Sequence, residues 1–146
     1  MSDNQTEQTT EKTNKQPPAP TVWGSLQARD ARALIAWLCD VLGFVPTVVI
    51  DGPDDTVTHS QLTWPEGGGI MMGSHKPGSE WSLEPGTAGF YVVTDHVDEL
   101  YEKVRAAGAT ITRPIADQDY GNREFAIADP EGNLWSFGPY RGEPIG

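Results

Sequence analysis

Apolar residues recur at two different spacings along this chain, and the switches between them mark out its elements. From Asp30 the segment DARALIAWLCDVLGF sets Leu34, Trp37, Leu38, Val41 and Leu42 on one face at helical spacing. Asp30 has the side chain of an N-cap, and Gly43 has the backbone freedom that ends a helix. A second helical segment, DHVDELYEKVRAAG from Asp95, aligns Val97, Leu100, Tyr101, Val104 and Ala107 and stops at Gly108. Its acidic residues Asp98 and Glu99 come early and its basic residues Lys103 and Arg105 late, as the helix dipole favours. Elsewhere short, strand-length apolar runs set the pattern: TVWGSLQA, FVPTVVI, TVTHSQLTW and GGIMMG around the first helix, then GFYVVT, ATITRP, REFAIA and NLWSFG around the second.

The two halves repeat. Asp30 to Gly43 and Asp95 to Gly108 are equal in length, the offset between them is sixty-five, and the same offset carries Gly73 onto Gly138. Ile70-Met71-Met72-Gly73 therefore overlies Trp135-Ser136-Phe137-Gly138, each after a turn, PEGGG or DPEGN. The predicted fold class is α+β, with two tandem βαβββ modules spanning 21–73 and 89–141. The connection SHKPGSEWSLEPGTA (74–88) is too long for a tight hairpin and has the prolines and glycines of a crossover.

Residues 1–20, MSDNQTEQTTEKTNKQPPAP, have no face to bury and read as a disordered tail, which leaves 21–146 as a single domain. The formal charge is -11, and because the tail holds three acidic against two basic residues, about -10 belongs to the folded part. Such a surface argues against nucleic acid and anionic lipid and for neutral or cationic partners. The chain shows neither an apolar run of membrane-spanning length nor the start of a signal peptide, so a cytoplasmic protein is expected. Cys39, the only cysteine, allows no internal disulfide and reads as a packing residue.

Catalytic motifs are sparse. The chain has no GxSxG, P-loop or strand-following GxGxxG, and the GGG at 67–69 reads as a hairpin turn. In TVTHSQLTW, alternation sends Ser60 and Leu62 to one face and His59 and Gln61 to the other. In REFAIA it separates Glu124 from Phe125 and Ile127. Glu124 and His59 are the candidate general bases. The plainer alternatives are an ion pair of Glu124 with Arg113 or Arg123, and a hydrogen-bonded sheet histidine. His75 and His96 read as solvent-facing, and Asp129 as a turn residue before Pro130.

The helix ending RAAGA, the stretch RPIADQDYGNREFAIADP, the closing DPEGNLWSFG and, in the first half, QARDARALIAWLCDVLGF resemble the glyoxalase/bleomycin-resistance/dioxygenase proteins, or vicinal oxygen chelate superfamily, over residues 21–141. This resemblance implies a curved mixed sheet around a cup, helices on its convex side, and homodimers that share or exchange modules. In enzymatic members it implies a divalent metal held by His, Gln or Glu from the first and last strand of each module, able to polarise substrate oxygens. Carried onto this chain, the metal positions are Trp23, Gly89 (Ala88 under the strict offset), Met71 and Ser136, none of which offers imidazole or carboxylate. Neither metal nor cofactor is therefore expected.

Trp23, Trp64, Trp81 and Tyr120 fall where such a cup has its rim, with Met71 at its base, while Trp37 and Trp135 read as helix-side core. The expected ligand-binding set is Trp23, Gln27, His59, Gln61, Met71, Trp81, Tyr120, Glu124 and Ser136. The expected function is metal-free binding of a small organic ligand, sequestering a hydrophobic or cationic natural product such as an antibiotic. The alternatives are a lyase, isomerase or dioxygenase with a non-standard metal site or a Glu124 or His59 base, and a structural or regulatory module without a ligand.

Overall fold

A computed structural model describes residues 20–146. The expected disordered tail lies, Pro20 apart, outside the described residues. In the first half β1 (Gly24–Ala28) leads through α1 (Ala31–Trp37) to β2 (Val45–Asp51), β3 (Val57–Thr63) and β4 (Gly69–Ser74). In the second, β5 (Gly89–Val93) leads through α2 (Val97–Ala106) to β6 (Thr110–Asp117), β7 (Arg123–Ala128) and β8 (Leu134–Gly138). Each half forms a four-stranded mixed sheet, ordered β1-β4-β3-β2 and β5-β8-β7-β6. The first and last strands pair in parallel and the rest antiparallel, so the α+β class and the repeated βαβββ order are both present.

Helix ends follow local chemistry with two departures. The Asp30 carboxylate accepts the Ala33 N–H and Gly43 closes the segment at a φ of 97°. Between them Leu38–Leu42 form a π turn, in which both Gly43 and Phe44 donate back to the Leu38 carbonyl. The wider turn lets Leu38 and Leu42 both enter the core. The second helix begins at Val97 rather than at Asp95, because Asp95 is drawn out of the turn: its N–H goes to Glu66 at 2.9 Å and its carboxylate to Arg141 at 2.7 Å.

Those contacts belong to a reciprocal clasp between the modules. Glu66, in the β3–β4 turn, accepts the N–H of Asp95 ahead of α2. Glu131, sixty-five residues on in the β7–β8 turn, accepts the N–H groups of Arg29 and Asp30 ahead of α1, both at 2.8 Å. Each module thus supplies a carboxylate to the positive end of the other's helix.

Both sheets turn one face to a common core. Phe125, Ile127, Trp135 and Phe137 are fully buried, Trp135 stacks on Phe90 with ring centroids 4.4 Å apart, and Phe44 meets its edge at 5.6 Å. Trp64 departs from the expected rim position. It is 7% exposed, lies 5.1 Å from the Phe44 ring and 6.4 Å from Phe137, and donates its indole N–H to the Val93 carbonyl at 2.8 Å. It follows Leu62 by two residues and so continues the inward phase of β3 into the seam between modules. Cys39 is half-buried against the core, and burial raises its thiol pKa. Among the described residues, no helix is long and apolar enough to cross a membrane.

Candidate functional site

The faces turned away from the core carry the candidate chemistry. Strand phase puts Ser25, Gln27, His59, Gln61 and Met71 on the open face of module one, and Tyr91, Glu124, Ala126 and Ser136 on that of module two. Ser25 pairs with Met71 and Tyr91 with Ser136, so the first strands correspond at an offset of sixty-six, with Trp23 matched to Gly89.

On module one a cavity of about 430 Å³ is lined by Trp23, Gln27, His59, Met71, Lys76 and Trp81 with their neighbours. The Trp23 ring lies across Gly69, where a Cβ would come within 2.6 Å of it. Gln27 is buried and its amide is already engaged. Its nitrogen donates to the Trp81 carbonyl at 2.7 Å, and its oxygen accepts the N–H groups of Lys76 and Leu83 at 3.2 Å. It therefore staples the crossover to β1 and holds out the Trp81 ring, 65% exposed, rather than presenting a free amide to a ligand. His59 Nε2 and Gln61 Nε2 are 3.2 Å apart, which pairs the two side chains on the open face. His75 packs in the crossover beside Ser82 and His96 is exposed at the start of α2.

On module two Tyr91, Tyr120, Asn122, Glu124, Pro139 and Tyr140 enclose about 830 Å³. Glu124 is 7% exposed and accepts from the Tyr120 hydroxyl, from Asn122 Nδ2 at 2.8 Å and from Arg113 Nη1 at 3.2 Å. Arg123 faces the other way, to Asp98 and Asp117. Three donors, one of them the cation Arg113, leave Glu124 suited to holding its neighbours in place, and poorly suited to taking a proton from a substrate. Sequence reasoning missed Tyr91, Asn122, Tyr140, Arg113 and Lys76 as lining residues. Tyr91 is within reach of the strand alternation, opposite in phase to Phe90 and Val92. Tyr140 is not: it is brought in by its carbonyl, which accepts the Tyr91 hydroxyl at 2.8 Å, and by its N–H, which meets Asn122 Oδ1 at 3.2 Å. Gly138 makes room for this, since a Cβ there would lie 2.6 Å from the Asn122 amide nitrogen.

The Glu124 bond raises the pKa of the Tyr120 hydroxyl, and Glu143 does the same for Tyr140. A raised folded-state pKa means that the Tyr120–Glu124 bond contributes fully below the unfolded value of about 10 and is lost as pH climbs through the folded one. In a titration of phenolate absorbance, Tyr120 is expected among the late-ionising tyrosines. Tyr120→Phe should remove part of that late step and leave the part due to Tyr140. Ionisation of all tyrosines together near pH 10 would disprove the contact.

The positions at which the resemblance implies a metal hold Trp23, Gly89, Met71 and Ser136, flanked across the strands by Ser25 and Tyr91. An indole, a thioether and neutral hydroxyls do not fit a divalent cation. Among the described residues, no three of His, Cys, Asp and Glu converge as metal ligands.

A family model for the Glyoxalase/Bleomycin resistance protein/Dioxygenase superfamily matches residues 20–137. An uncharacterised protein of Mycobacterium bovis is 30% identical over 127 residues, covering 82% of each chain. A bleomycin resistance protein of Geobacillus stearothermophilus is 30% identical over 123 residues, covering 77% of this chain and 91% of that one. Among solved structures, TioX from Micromonospora sp. ML1 aligns with a TM-score of 0.69 at 27% identity, covering 82% of this chain and 98% of TioX. With the tandem modules and their open faces, these matches make the chain a member of the glyoxalase/bleomycin resistance protein/dioxygenase superfamily.

Proposed function

We propose that this protein is a cytoplasmic homodimer that binds a hydrophobic organic molecule in a metal-free cup and sequesters it unchanged. The observation that carries this reading is the residue set on the open faces: an indole, a thioether, a hydroxyl and a glycine occupy the places where an enzyme of the family would hold metal ligands, and aromatic side chains line the cavities around them. Affinity then comes from apolar burial and stacking rather than coordination. The resemblance to a bleomycin resistance protein supports binding over turnover.

Dimerisation follows from the same faces. Trp81, Tyr91, Tyr120, Leu134 and Tyr140 stay exposed in a single copy, and apolar surface of this kind is what a symmetric partner covers. Each cup would then close between module one of one protomer and module two of the other.

Tryptophan fluorescence titrated with bleomycin and with aromatic natural products is the direct test. Saturable quenching is expected, with two sites per dimer and the ligand recovered at unchanged mass. Trp81→Ala should weaken binding about ten-fold, as removal of one stacking ring from a ligand site would. Chemical conversion of the ligand, stoichiometric metal retained through chelator dialysis, or no response to any cup-sized ligand would defeat the reading.

A further inference from the structure

Two features of the lining point beyond a generic apolar cup. The first is its charge. The chain carries 21 acidic residues against 10 basic ones. Yet the cavities on the open faces are lined by the cations Lys76 and Arg113 and by one carboxylate, Glu124. The faces on which a ligand would rest thus run opposite to the net charge, which by itself favours a cationic partner.

The second is the setting of Arg113. It stands on β6 opposite Ala126 of β7, and it lines a cavity of about 410 Å³ together with Gly89, Leu134, Trp135 and Ser136. Its side chain is 55% exposed, and among the described residues its hydrogen bonds reduce to one, from Nη1 to Glu124. A guanidinium has five N–H groups in a planar fork. One is fastened to Oε1 of a buried carboxylate, an oxygen it shares with the Tyr120 hydroxyl while Asn122 holds Oε2, which leaves the rest of the fork for an acceptor in the cavity. Pinning the guanidinium beforehand lowers the entropy that a ligand must overcome to engage it.

We propose that Arg113 is a ligand-recognition residue and that the group it takes is a carboxylate attached to an apolar, aromatic body. The carboxylate lies against the free edge of the guanidinium over Ser136, and the ring system rests on Leu134 and the aromatic residues of the facing half-cup. Glu124, Tyr120 and Asn122 are positioning residues: they touch Arg113 or its anchor and not the ligand. In place of a metal ion, the chain itself supplies a fixed positive charge at this end of the cup. This inference rests on the small-molecule-binding reading above and adds the polar group that the site selects.

A matched pair of probes tests it, 2-naphthoate and 2-naphthamide, which share a ring system and differ in charge. Both are titrated into the full chain by calorimetry. Naphthoate is expected to bind about ten-fold more tightly, as a charge-assisted pair allows. Arg113→Gln should abolish the preference, and Arg113→Lys should keep part of it, since a point charge remains but the fork is gone. Glu124→Gln, which retains an acceptor while loosening the anchor, should reduce the preference about three-fold. Arg105→Gln, on the far side of α2, should leave it intact. Equal affinity of the native chain for both probes, or a preference that survives Arg113→Gln, overturns the inference and leaves the cup reading standing. Failure of both probes to bind counts against the two together.

Discussion

Replacing Asp129 with alanine is expected to lower the unfolding free energy by about 4 kcal/mol, among the largest effects of any single substitution in this chain. The Asp129 carboxylate is 5% exposed and collects four donors: the backbone N–H groups of Glu131 at 2.8 Å and Asn133 at 3.0 Å, and the side chains of Asn133 and Trp135 at 2.9 Å. Alanine leaves these donors buried without an acceptor, and each orphan costs about 1–3 kcal/mol before relaxation. The Trp135 indole is the costliest, because the ring is fully enclosed by Phe44 and Phe90 and cannot turn to water. Asp129→Asn keeps one acceptor oxygen but sets an amide against a donor, so about half the loss is expected. Urea unfolding provides the measurement. The Asp129→Ala midpoint should fall by about 2 M with little change in slope. A fall under about 0.5 M would show that the turn holds without the carboxylate.

Trp64→Ala comes next, at about 4 kcal/mol. Its indole fills the seam between the two sheets, touching Phe44 from module one and Phe137 from module two, and its N–H satisfies the Val93 carbonyl. Truncation opens a cavity in the core that the modules share, so it weakens their coupling as well as the total stability. Trp64→Phe keeps most of the apolar packing and loses the hydrogen bond, for which about 1–2 kcal/mol is expected. Thermal unfolding by calorimetry separates the cases. Trp64→Ala should broaden or split the single transition as the modules lose cooperativity, and an unchanged sharp peak would place the modules' coupling elsewhere.

Much of this architecture is legible in residue order. The offset joining Asp30 to Asp95 and Gly73 to Gly138 identifies the repeat, and alternation in REFAIA and LWSFG divides Phe125, Ile127, Trp135 and Phe137 from Glu124 and Ser136, as the structure does. Turn chemistry locates the left-handed glycines at Gly43 and Gly108. These features are local: a period, a cap or a positive φ is imposed by near neighbours along the chain. Trp64 obeys the same rule against its expected place at the rim, since its phase with Leu62 points it inward.

What no local rule supplies is the set of partners. Gln27 reads in the sequence as free to meet a ligand, yet its amide closes on Trp81 and Leu83, more than fifty positions away. Glu66 and Glu131 sit in turns with nothing nearby to engage them, and prove to be reciprocal clasps across the modules. Arg113 is one of two arginines able to pair with Glu124, and strand register chooses it: Arg113 lies opposite Ala126 on the open face, whereas Arg123 falls in the opposite phase from its neighbour Glu124. Residue type and short-range periodicity are enough to set the repeated elements, the faces of the strands and the lack of metal-binding side chains at the family's positions. Which polar groups remain free on those faces is settled by folding in three dimensions, because hydrogen-bond satisfaction depends on contacts between residues far apart in the chain.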